Sequence, residues 1–278
     1  MLNELREIFQ SNIKSLEMLY LMEDIKPAAR IMLREEEKDK IFDFFKEKGI
    51  NYSLSDFKVI KQDKEKGYSD KGIKVPVDSS QKGYFLAYLS KKKELAKKAK
   101  ELENNNKHKE LGILLGYPEC CSGFFERHFE EQSRRNNDFT LSTLKDSDGF
   151  SFPFYTNIAA RHFDLALLNH FPCSFSCKHS IELAKRHLEV IEKHDKEAAD
   201  IIKGMLKGAV VYTETNGVFL LRYPELEHNR LYYKGVMGSR NSQLYGALKN
   251  AEYVNILQKN RIMLDNLEIK NIGVMLFS

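Results

Sequence analysis

All four cysteines of this chain fall in two short segments, GYPECCSGFF (116–125) and NHFPCSFSCKHS (169–180). Any fold that uses the thiols together must bring those distant segments to one point. Each segment places a proline shortly before its cysteines, and proline suits the first helical position because its missing N–H costs nothing there. The pattern therefore predicts Cys120, Cys121 and Cys173 in the first turns of two helices, with Cys177 one turn beyond Cys173. First-turn N–H groups lack backbone partners and the helix dipole is positive there. Both effects push a thiol toward thiolate, the form that binds metals and attacks electrophiles.

The residues support three uses. In the first, Cys120, Cys121, Cys173 and Cys177 hold zinc or an iron–sulfur cluster between two helix N-termini. Neighbouring side chains diverge by about 100° on a helix, an awkward chelate for one zinc ion. A cluster offers several iron corners, so the reading leans toward a cluster. In the second, Cys120 or Cys121 is a nucleophile, His170 or His128 its base, and the helix N–H groups hold an anion. In the third the thiols are core. Cys173 and Cys177 continue the stripe of Ile181, Ala184, Leu188, Ile191, Ala198 and Ile202 at helical spacing, and Cys121 shares a face with Phe124, Phe125 and His128. His170, just before the second segment, is the nearest candidate for proton transfer, and the site would serve a small-molecule substrate if it is catalytic.

The elements Gly-Tyr-Pro-x-Cys-Cys and His-x-Pro-Cys-x-x-x-Cys together resemble the uncharacterised archaeal and bacterial family catalogued as domain of unknown function 483, over residues 108–190. The resemblance implies a prokaryotic, archaeal-type cytoplasmic protein. It brings no established reaction.

Around that centre the pattern predicts an α+β protein in three portions. Residues 1–105 form an N-terminal α/β portion: two helices, the second starting after Pro27 and running through Ile31, Met32 and Ile41 to Gly49, then strands FKVI, IKVPV and YFLAYL with Lys/Asp/Gly-rich turns. Residues 106–206 form a helical Cys/His domain. Residues 207–278 form a β-rich portion with GAVVYTE and GVFLLRY joined through Asn-Gly.

Charge is nearly balanced, with 44 basic and 40 acidic residues, which is not the footprint of a dedicated nucleic-acid binder. No apolar run approaches the roughly 20 residues of a membrane span. The N-terminal MLNELREIFQSNIKSLEMLYLMEDI is amphipathic and lacks a signal peptide's apolar core. These features place the chain in the cytoplasm, where thiols stay reduced.

Other candidates have plainer readings. Arg161, His162 and Asn169 suit the polar wall of a pocket beside the cysteines, with His162 as a satisfied, partly buried histidine. His179 and His187 are weak ligand candidates. KDSDGF (145–150) reads as a turn, because the downstream acidic ligands of a calcium loop are missing. GSRNSQ (238–243) matches no phosphate fingerprint. KKKELAKKAK (91–100), with Tyr84, Tyr88 and Lys107, supplies the alternative function: an RNA-associated module whose cysteine domain is structural. The leading expectation is a cytoplasmic metalloprotein, with enzymatic use of the site left open.

Overall fold

In the computed structural model, which describes residues 1–61 and 72–278, helix makes up 44% and strand 25% of the described residues, an α+β fold. The Lys/Asp/Gly-rich turn expected between FKVI and IKVPV lies outside the described residues. The chain begins with α1 (Leu2–Phe9) and α2 (Asn12–Met22). Gln10 ends α1 in the left-handed region and Ser11 caps α2, its Oγ accepting from Lys14 N at 3.3 Å.

The helix expected after Pro27 is not one. Ala29–Arg34 is strand β1, and helix α3 occupies only Lys38–Glu47. β1 pairs antiparallel along its whole length with β5 (Tyr84–Ser90), from Ala29 opposite Leu89 to Arg34 opposite Tyr84. Burial along ARIMLR alternates with period two, so sheet pairing overrides the helical spacing of its apolar residues. The three predicted strands are present, β3 (Phe57–Lys61) joining β5 to β4 (Gly72–Pro76), and an unpredicted strand, β2 (Asn51–Leu54), also pairs with β5.

The middle of the chain holds α4 (Lys93–Asn104), α5 (His108–Leu114), α6 (Glu119–Arg134), α7 (Thr140–Lys145), the short strand β6 (Ser151–Phe152), α8 (Lys178–His194) and α9 (Lys196–Leu206). Two corrections fall here. Within the portion expected to be helical, Phe154–Thr156 and Ile158–Phe163 are 3₁₀ turns and not α-helix. The long stripe that follows is split into α8 and α9 by Asp195, whose carboxylate caps α9 at Ala198 N, 2.9 Å away.

The remaining elements are β7 (Gly208–Tyr212), β8 (Val218–Arg222), β9 (Glu225–Glu227), β10 (Arg230–Tyr232), β11 (Gly235–Gly238), α10 (Gln243–Asn250), β12 (Tyr253–Gln258), β13 (Arg261–Leu264), β14 (Leu267–Lys270) and β15 (Gly273–Phe277). Among the described residues they complete two further five-stranded sheets, ordered β14-β13-β12-β10-β9 and β11-β8-β7-β15-β6. The predicted β7–β8 hairpin is formed, with Gly217 at φ +110°, a value that favours glycine. The GSRNSQ loop serves this end: Ser239 Oγ accepts from Val218 N and Ser242 caps α10.

One hydrophobic cluster runs from Leu2 and Phe9 through Phe124, Phe175 and Leu188 to Val210 and Phe277, so helices and the β7–β15 sheet share a core. The C-terminal part also reaches the cysteine region directly. Lys259 Nζ donates to the carbonyls of Leu144, Lys145 and Ser147 at 2.7–3.1 Å, closing the C-terminal end of α7.

Candidate metal centre

The first thiol pair is placed as the sequence predicts. Pro118 is the N-cap of α6, and Cys120 and Cys121 lie in its first turn. The second pair is not. Cys173 lies outside any helix, and Cys177 is the N-cap of α8, so Pro172 does not start that helix.

Side chains pin residues 172–177 in a loop outside any helix. Thr143 Oγ1 donates to Pro172 O (2.8 Å), Cys173 N to Cys121 Sγ (3.4 Å), and Phe175 N to Ser147 Oγ (2.8 Å). Thr156 Oγ1 donates to Phe175 O at 2.7 Å. Cys177 N donates to Ser174 O at 3.0 Å, in place of the bond to Cys173 O that a helix beginning at Cys173 would make.

The four sulfurs nonetheless converge. Cys120, Cys121 and Cys177 form a triangle with Sγ···Sγ distances of 3.8, 3.8 and 3.7 Å. All four thiols lie within 4.8 Å of one another, and all are free. They can hold a metal ion, and among the described residues they form the single such group. Both adjacent cysteines face it, Cys121 buried and Cys120 exposed. Hydrogen bonds from the Cys121 and Cys173 thiols hold the Cys177 pKa well below the usual thiol range. Cys121 is pushed up by its bonds toward Cys173 and Cys177 and by burial. At Cys173 the bond with Cys121 acts downward, but the bond toward Cys177, burial and nearby thiolate charge outweigh it and push the pKa up to about 12.

Ser180, unforeseen from sequence, and His179, read there as a weak ligand candidate, belong to this centre. Ser180 Oγ lies 3.2 Å from Cys121 Sγ, and His179 Nδ1 lies 3.8 Å from Cys120 Sγ. Their signal was spacing: both follow the helix-starting Cys177 within one turn. His170 is not at the sulfurs. Its Nε2 is 2.9 Å from Ser180 Oγ, so it reaches Cys121 through that hydroxyl. Burial, with the nearby Lys26 charge, lowers the His170 pKa to about 3 and keeps the ring neutral.

Behind His170 lies Tyr117, with ring centroids 5.0 Å apart. Behind Tyr117 is Lys26, its Nζ 4.7 Å from the ring centroid and bonded to the buried Glu17 carboxylate. His128 faces Asp146 at 3.8 Å and makes no hydrogen bond to a cysteine among the described residues.

The centre separates two cavities. An outer one of about 760 Å³ is lined by Cys120 and His179 together with Arg127 and Arg186. An inner cleft of about 660 Å³ is lined by Cys121 and His170 together with Arg161, His162 and Asn169, the polar wall read from the sequence. His162 bonds the buried Asp138 at 3.1 Å, the satisfied role expected of it. Burial alone would raise the Asp138 carboxyl; hydrogen bonds from His162 and Thr140 outweigh it and hold the pKa below the usual range. His187 is core: its Nδ1–H donates to Leu167 O at 2.7 Å and its ring stacks on Tyr20 at 3.9 Å.

Tyr88 is fully buried, and within α4 Lys98 pairs with Glu101 and Lys100 with Asp56. KDSDGF is a turn in which Ser147 is buried and bonded to Thr143 O. No helix among the described residues is long and apolar enough to cross a membrane. No protein-family model matches the chain, and no curated protein or solved structure matches it significantly, so the chemistry rests on the site's own geometry.

Proposed function

We propose that Cys120, Cys121, Cys173 and Cys177 hold a single tetrahedral metal ion, zinc in preference to an iron–sulfur cluster. The supporting observation is the sulfur spacing. Four thiolates around one zinc at about 2.3 Å sit on a tetrahedron with edges of about 3.8 Å; Cys120, Cys121 and Cys177 show this separation at 3.7–3.8 Å, and Cys173 lies within 4.8 Å of each of them. A cluster shares the four thiolates among two or four irons and spreads the set of sulfurs wider than one ion does. The 100° divergence of adjacent cysteines is accommodated because Cys173 and Cys177 approach from a loop and a helix cap, not from a second helix face.

Four protein ligands close the coordination shell, the arrangement of a structural zinc site. The ion would clasp α6, the 172–177 loop and α8 on one side of the inner cleft. In this reading His170 is a positioning residue that orients Ser180 against the Cys121 thiolate. The reduced thiols suit a cytoplasmic protein, and the two motif segments support kinship with the domain of unknown function 483 family.

Elemental analysis of anaerobically purified protein tests the proposal. We expect one zinc per chain and its loss in Cys121→Ser and Cys177→Ser. Iron with acid-labile sulfide, or metal-free protein that is stably folded, would overturn it.

A further inference from the structure

We propose that the outer cavity is a reaction site, in which the Cys120 thiolate accepts the alkyl group of a small anionic electrophile seated on Arg127 and Arg186; this rests on the zinc reading above, which keeps the four cysteines deprotonated.

Exposure and hydrogen bonding set one sulfur apart. Cys121 is buried, and Cys173 N and Ser180 Oγ lie 3.4 and 3.2 Å from its Sγ. Cys177 is buried too, and the backbone and hydroxyl of Ser180 act on it in the same way. Donors of this kind favour the charged sulfur and make it a poorer nucleophile. Cys173 is half-buried and lines neither cavity. Cys120 is exposed in the outer cavity, and its one polar neighbour besides the thiols, among the described residues, is His179 Nδ1 at 3.8 Å. It is therefore the least hydrogen-bonded thiolate that an electrophile can reach.

Two helices that start at the sulfurs carry the rest of the site. On α6, Cys120, Gly123 and Arg127 lie at i, i+3 and i+7; on α8, His179, Leu183 and Arg186 lie at i, i+4 and i+7; all line the cavity. Each stripe puts an arginine two turns from the sulfur end, about 10 Å along the axis. Arg127 folds back over that gap. Its Nη1 lies 3.5 Å from the place a β-carbon on Gly123 would take, level with a residue only about 4.5 Å along the axis from Cys120.

The two arginines are uncompensated. Lys109 pairs with Glu119 and Glu182 with Lys185, at 2.8 Å each, which engages both carboxylates of the wall. Arg127 and Arg186 have no ion-pair partner among the described residues. Four thiolates around a divalent ion carry two negative charges, which would repel an anion. The guanidiniums and the positive ends of α6 and α8 offset that repulsion and give a carboxylate its seat. In the step itself a lone pair of Cys120 Sγ forms the S–C bond as the bond from that carbon to the leaving group breaks. The leaving group departs with its electron pair as an anion, no proton moves, and no oxidant or reductant is needed. The thiolate becomes a neutral thioether, a weaker zinc ligand.

Iodoacetate and its neutral counterpart iodoacetamide test this on anaerobically purified protein of measured metal content, with intact mass and peptide mapping as the readouts. We expect alkylation at Cys120 before any other cysteine. The rate with iodoacetate should saturate with concentration while that with iodoacetamide stays linear, and malonate, an unreactive dianion, should protect against iodoacetate. Arg127→Gln/Arg186→Gln should lose the saturation and about tenfold or more of the iodoacetate to iodoacetamide rate ratio. Both arginines are exposed, and the single variants should each lose part of the ratio if the double variant does not fold. Lys178→Gln removes an exposed charge next to Cys177 but outside the cavity, and should leave the ratio within about twofold. Zinc-loaded protein alkylated first at another cysteine, or an iodoacetate rate that is linear and unchanged in the double variant, overturns this inference alone. Metal-free protein overturns the zinc reading and this inference with it.

Discussion

Glu17 and Lys26 form an ion pair with side chains only 3% and 1% exposed, the most deeply buried pair of opposite charges near the site. Glu17 lies on α2 and Lys26 in the connection to β1, and the second carboxylate oxygen accepts from Nζ at 2.6 Å. Replacing Lys26 by Met keeps the volume but strands a carboxylate in the core, and replacing Glu17 by Met strands the ammonium. Breaking such a pair from one side typically costs about 3–5 kcal/mol, whereas replacing both members by apolar residues is often neutral. Each single variant should therefore lose about 3–5 kcal/mol in urea or guanidinium unfolding at pH 7, and Lys26→Met/Glu17→Met should recover most of it. At about 2–4 °C per kcal/mol for a chain of this size, either single variant should melt roughly 10 °C low. The double-mutant cycle should give a coupling of several kcal/mol. Single variants within about 1 kcal/mol of the parent, with additive effects, would refute the reasoning by showing that water reaches the pair.

Two smaller perturbations probe the same region. Burial lowers the His187 pKa to about 3 from an ordinary value of 6.5, so the unfolded chain takes up a proton first on acidification. Stability from this residue is complete above pH 6.5 and falls as the pH drops toward 3, by about 2 kcal/mol at pH 5; denaturant midpoints at pH 7.5 and 5 should drop further in the parent than in His187→Gln. Ser180→Ala removes the hydroxyl between Cys121 and His170, and chelator competition should show metal affinity reduced about 10- to 100-fold with little change in fold.

Local chemistry was legible in the sequence where local chemistry decided the outcome. Pro118 begins α6 and puts Cys120 and Cys121 in its first turn. The Asn216-Gly217 turn joins β7 to β8, and Arg161, His162 and Asn169 do line a cleft beside the cysteines. Long-range pairing decided the misses. ARIMLR follows a proline and has apolar residues at helical spacing, but six residues of β5 lie opposite it and make it a strand. Pro172 looks like a second Pro118, yet the Thr143 hydroxyl takes its carbonyl, and Cys121 and Ser147 take the next N–H groups. The second helix therefore starts five residues later, and Cys173 reaches the centre from a loop. That delay also brings His179 to the sulfurs, whereas Ser180, seven residues after Cys173, would share a helical face with Cys173 and Cys177 in either case. The Glu17–Lys26 pair gives no sequence signal, because charge in a helix and its exit loop ordinarily faces water.

X-ray absorption fine structure at the metal edge of anaerobically purified protein tests the central claim most directly. Zinc with four sulfur scatterers at about 2.3 Å and no neighbouring metal is the expected result. A metal–metal vector of the kind an iron–sulfur cluster produces, or a first shell completed by nitrogen or oxygen in place of one cysteine, would contradict it.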